Sequence, residues 1–184
     1  MRIFRGFLPF VAFIVATKFT TAQAAVWLAF ATAVAVFAYW RFREPAKQPK
    51  ILEVGSVALF GIVGLVARLA PVPLSLGIVR LAVDGGLLLV VLASLVLKNP
   101  FTLQYAREET PQELWSNPIF IALNVRITWA WALAFAINVG ADALLAFVPA
   151  VPIWVDATLA IGSLAGAALF TAEEAKRARA RVPA

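Results

Sequence analysis

Residues 77–97 read GIVRLAVDGGLLLVVLASLVL, and the reading of this stretch decides the fold. Its charges, Arg80 and Asp84, both fall in the first half, and nothing after Gly85 is charged until Lys98. A helix rises about 1.5 Å per residue, so crossing a hydrocarbon layer of about 30 Å takes about 20 mostly apolar residues. Residues 77–97 meet that requirement. Working outward, so do Ala22–Trp40, Ile51–Leu69, a stretch within Pro118–Phe147, and Pro152 to about Thr171. A shorter apolar block, Ile3–Thr17, comes first and carries Arg5 and Pro9. The pattern predicts an all-α membrane protein: one domain over residues 1–184, a bundle of about six transmembrane helices, or five if the first segment is cleaved.

Composition supports the same reading. Of 184 residues, 62% are hydrophobic and 14% charged, whereas soluble domains are about half apolar and about a quarter charged. A soluble protein of this size has too little interior for that much apolar side chain. Membrane lipids are therefore its expected surroundings. The net charge of +6 would suggest nucleic acid in a soluble chain. Here the basic residues fall in short clusters between apolar blocks, as topology signals do, so no nucleic-acid partner is expected. The chain has no Cys and no His, and its single Met is Met1. That excludes thiolate chemistry, Cys or His metal sites and the usual haem ligation, and no cofactor or metal is expected.

Basic residues also orient the helices. With the first block counted as a span and the N-terminus inside, Arg2, Arg5, Arg41, Arg43, Lys47, Lys50, Lys98, Arg107, Lys176, Arg177, Arg179 and Arg181 face one side, twelve in all. Lys18, Arg68 and Arg80 make three on the other. That asymmetry predicts both termini in the cytoplasm. A rival reading makes the first block a secretory signal, with Ala22-Gln23-Ala24 as its cleavage site. Lys18 closes the apolar run well before that site, so retention is expected.

A charge at the centre of a membrane helix costs about 3 kcal/mol on insertion scales, so each one asks for a reason. Arg80 and Asp84 are one turn apart on one helical face, which predicts an ion pair, and Gly85 and Gly86 beside them could expose backbone to a ligand or admit close packing. Arg126, two turns into the fifth long block, is placed to snorkel to headgroups or to reach Glu108 or Glu113. Asn124 and Asn138 share nearly one face of that block, where interhelical hydrogen bonding is the expected use. Arg80, Asp84, Arg126 and Asn138 form the candidate polar site. Asp142 and Asp156 flank the last outer loop and are expected in or near water. Gly162 and Gly166 form a G-x-x-x-G pair, a contact within the bundle or between two copies of the chain.

The longest polar stretch is Asn99–Asn117. Thr110-Pro111-Gln112-Glu113 fits a capping box, predicting a short interfacial helix. Tyr105, Arg107, Glu108, Glu109 and Trp115 within the stretch form the candidate partner surface.

Phe7-Leu8-Pro9-Phe10 with Phe13 and Lys18, Tyr39-Trp40-Arg41-Phe42-Arg43, and the later Pro111, Leu114-Trp115, Leu123-Asn124, Trp131, Phe135 and Asn138 carry a resemblance. Together with Trp154-Val155-Asp156 and Gly162 through Phe170, they resemble the intracellular septation protein A family of bacterial inner-membrane proteins. Asn99–Asn117 departs from the family in being longer and more acidic, which suggests a distant member. The resemblance implies a multi-pass inner-membrane protein that acts in cell division or envelope synthesis through other inner-membrane proteins, without catalysis. The alternative is a small-solute transporter or channel, for which the four polar residues would have to line one path.

Overall fold

A computed structural model describes residues 2–45, 48–148, 150 and 152–180. A 3-10 turn, Arg2–Phe7, leads into helix α1, Leu8–Ala16. Helices α2, Ala22–Arg43, α3, Ile51–Leu69, and α4, Leu76–Val96, follow. A short helix α5, Phe101–Ala106, and 3-10 turns at Arg107–Glu109 and Gln112–Leu114 lead to α6, Pro118–Phe147, and α7, Ile153–Ala180. No strand occurs among the described residues. Five helices, α2, α3, α4, α6 and α7, are long and apolar enough to cross a membrane. The protein is an all-α membrane bundle.

Local chemistry starts and stops these helices. Thr21 Oγ1 accepts the Ala24 N–H, Ser75 Oγ the Ile78 N–H, and Asn117 Oδ1 the Ile119 N–H, each satisfying a donor that the helix leaves free. The end of α4 is tighter. Lys98 adopts φ 54, the Lys98 N–H donates to Leu95 O, and the Asn99 N–H donates to Ser94 O. This is a Schellman turn with lysine where glycine is usual.

Helix α6 is the central element, packing against α4, α5 and α7, while α1, α2, α3 and α4 pack in series. An aromatic cluster joins these parts. The Phe7 ring stacks on Trp131 at 5.4 Å and lies edge-on to Phe101 at 6.3 Å, and Phe10 meets Phe60 at 5.1 Å. The first apolar block is thus part of the core, with Phe10 and Phe13 buried. Arg5, Trp40, Lys50, Glu108, Arg126 and Glu174 gather at one end of the bundle, here called the basic end. Arg80, Asp142 and Asp156 lie at the other.

Two expectations need correction. The sixth apolar block ends near Thr171, but α7 runs to Ala180, because Ala, Glu, Lys and Arg sustain a helix beyond its membrane portion. The capping box at Thr110 does not form. The short helix is α5, which begins at Phe101, and Pro111 precedes only a 3-10 turn with no side-chain cap. The Thr110 carbonyl instead accepts the Trp115 Nε1–H at 3.0 Å.

Candidate functional site

The first site forms where α4, α6 and α7 meet. At the start of α4, a Cβ placed on Gly77 would lie 3.0 Å from Ala146 Cα, so the two backbones nearly touch. One turn further along, Arg80 reaches across the gap. Its Nε lies 3.1 Å from Asp142 Oδ1 and its Nη2 lies 2.7 Å from Asp156 Oδ2. The expected Arg80–Asp84 pair is therefore replaced: among the described residues, the ion pairs of Arg80 go to two other helices. Asp84 stays within electrostatic reach of Arg80 and in side-chain contact with Asp142.

Asp142 and Asp156 also depart from expectation. Their side chains are 0% and 2% exposed, sealed inside the bundle and away from water. The physical reason is shared. A buried carboxylate without a partner is very unfavourable, and the planar guanidinium fork can serve two carboxylates at once. Arg80 closing on Asp84 alone would leave both buried carboxylates orphaned.

From this cluster a polar seam descends between α6 and α7. Asn138 Oδ1 accepts from Ser163 Oγ at 2.7 Å, Trp131 Nε1–H donates to Thr171 Oγ1 at 3.1 Å, and Arg126 Nη2 meets Glu174 Oε2 at 3.1 Å. Each step down α6 is matched by a step along α7 in the opposite sense, the register of an antiparallel pair. The carboxylate that Arg126 meets is Glu174, in the charged tail beyond the apolar block, in place of the expected Glu108 or Glu113. Asn124 is buried and donates to Phe120 O within its own helix, so it does not extend a stripe from Asn138.

The basic end holds the second cluster. Lys50 Nζ lies 2.9 Å from Glu108 Oε1, 3.8 Å from Glu53 Oε1, and over the Tyr105 ring at 4.6 Å. Gln104 Oε1 accepts the Ile51 N–H at 2.9 Å, fastening α5 to the start of α3. Thr102 Oγ1 donates to Asn124 O at 2.8 Å, and Thr128 Oγ1 lies 2.7 Å from it. Of the candidate partner surface, Tyr105 is buried. Burial, then the nearby Glu53 and Glu108 carboxylates, push its phenol above its ordinary range, so it stays neutral. Arg107 stacks over Trp115 at 5.7 Å and both are half-buried, whereas Glu109 is exposed.

The four candidate polar residues therefore do not share one place. Arg80 and Asp84 belong to the α4–α6–α7 cluster. Asn138 is four residues before Asp142 on α6 and Arg126 is twelve further back, about 6 and about 24 Å along the helix axis. Sequence reasoning missed Ser163, Thr171 and Glu174 as partners. The antiparallel numbering of the last two apolar blocks was a signal that could have paired them. Gly162 and Gly166 pack against nothing: an added Cβ at either would meet no atom within 4 Å, so both face outward. Among the described residues no group of three or more acidic, His or Cys side chains is placed to hold a metal ion. No protein-family model, curated protein or solved structure matches the chain.

Proposed function

We propose that the chain is a non-catalytic interaction protein of a bacterial inner membrane, with both termini cytoplasmic, that serves cell division or envelope synthesis by holding other membrane proteins. The observation that carries this reading is the separate closure of the polar residues. Arg80 ties α4 to α6 and α7, Asn138 ties α6 to α7, and Arg126 does so again at the basic end. A solute path needs convergent polar lining along one route. Helix-to-helix ties at successive levels instead give a rigid scaffold, and the resemblance to septation protein A adds the cellular setting.

The partner surface is the exposed part of the polar stretch at the basic end. Glu109, Gln112 and Glu113 are exposed there, and so is Leu114. They sit beside the stacked Arg107 and Trp115. A firm anchorage to α3 and α6 presents this edge without further ordering, which keeps the entropy loss of binding small. Gly162 and Gly166 offer a second surface to lipid, where another membrane helix or a second copy can approach closely.

A deletion strain tests the proposal. Loss of the protein is expected to produce division or envelope defects that the wild-type gene repairs and a Glu109→Lys, Glu113→Lys variant does not, although that variant inserts in the membrane normally. Asp84→Ala and Arg126→Ala supply the contrast. A strain with intact division and envelope but altered solute uptake, restored by wild type and not by these two variants, would favour the transporter instead.

A further inference from the structure

We infer that the cluster around Arg80 is a proton-binding site, with the proton held between the Asp84 and Asp142 carboxyls. The inference does not depend on the partner-holding role.

Three carboxyl groups face one guanidinium: Arg80 and Asp84 from α4, Asp142 from α6 and Asp156 from α7. Helix α3, packed on α4, adds only Arg68 near its end, and that side chain is exposed. With every group ionised the cluster would hold two negative charges more than positive ones. Asp142 and Asp156 are 0% and 2% exposed, so water does not dissipate that excess.

The carboxyl oxygens of Asp142 and Asp156 are buried, and apart from the Arg80 guanidinium no donor among the described residues serves them. The group in contact with Asp142 is another carboxyl, that of Asp84. Two carboxylates in contact repel each other, whereas a carboxyl and a carboxylate sharing one proton form a strong hydrogen bond. A bound water would supply a donor but remove no charge, and the donors do not converge as a metal site requires. One proton answers both needs. It adds to a carboxylate oxygen lone pair to form an O–H bond, with no electron transferred, and it halves the excess charge. Asp156 keeps its 2.7 Å contact with Arg80.

The test uses the full chain in nanodiscs of phosphatidylethanolamine and phosphatidylglycerol. Infrared spectra in H2O and D2O at neutral pH are expected to show a carboxylic-acid C=O band that Asp84→Asn and Asp142→Asn each abolish and Asp156→Asn leaves in place. The Asn side chain imitates a neutral carboxyl in shape, so the first two variants should also keep the wild-type melting temperature. Absence of the band from folded wild-type protein overturns the inference, and that measurement needs no variant to fold. So does a melting temperature that rises with sodium but not with choline at fixed pH, which would assign a metal cation instead.

Discussion

Replacing Arg80 by methionine keeps much of the length of the side chain and removes its guanidinium. The two ion pairs, 3.1 Å to Asp142 and 2.7 Å to Asp156, vanish together. Asp156 then remains inside the bundle with no donor among the described residues, and Asp142 keeps only the proton it shares with Asp84. Removing one partner of a buried ion pair costs about 3–5 kcal/mol, because the remaining charge is left uncompensated. Arg80 is 23% exposed, so some of its interaction is already shared with the surroundings and the lower end, about 3 kcal/mol, is expected. The assay is unfolding of the purified protein by titration with a denaturing detergent, followed by tryptophan fluorescence, with Trp154 two residues from Asp156 as a local reporter. A triple variant, Arg80→Met with Asp142→Asn and Asp156→Asn, should recover most of the loss, because the groups that needed Arg80 have gone. A loss below about 1 kcal/mol for Arg80→Met would refute the reasoning, since pairs exposed to solvent contribute that little. Additivity of the three substitutions would refute it too, because groups in direct contact couple.

Ser94→Ala should loosen the turn after α4. Ser94 Oγ donates to Val91 O at 2.6 Å and accepts the Phe101 N–H at 3.1 Å in a fully buried position, so its loss orphans an N–H at about 1–3 kcal/mol, read as faster hydrogen exchange at Phe101. Lys98→Gly should stabilise by about 0.5–1 kcal/mol, because φ 54 is unfavourable for lysine and easy for glycine; an unchanged or lowered unfolding midpoint would count against that conformation. Thr171→Val should cost about 1 kcal/mol by orphaning the Trp131 Nε1–H, with a shift in indole fluorescence as the local sign.

Much of the fold is legible in the residues. Ile51–Leu69 coincides with α3, and α6 fills the whole of Pro118–Phe147, within which a span was expected, since an apolar run bounded by turn residues is a local property of the chain. Helix extent beyond the apolar run is less legible, as the tail of α7 shows, because hydrophobicity marks the membrane portion of a helix and not its end. The site is legible in its members more than in its pairings. Arg80, Asp84, Arg126 and Asn138 stand out as polar groups in apolar surroundings, yet Arg80 pairs with residues more than sixty positions away. Thr110 misleads for the opposite reason: its spacing suits a cap, but Pro111, which would have to open the helix, is not helical (φ -53, ψ 144), and α5 has already formed upstream.

The sequence by itself determined that this is a membrane protein of several helices, where those helices lie, and which polar residues inside them require an explanation. Those conclusions rest on composition and on the length of apolar runs, which need no knowledge of neighbours. Only the tertiary structure decided that Arg80 bridges Asp142 and Asp156, that Arg126 meets Glu174, and that Tyr105 is enclosed. A charge in low dielectric takes whichever opposite charge the packing brings nearest. The close approach of α4 and α6 at Gly77 and the antiparallel register of α6 and α7 set that choice.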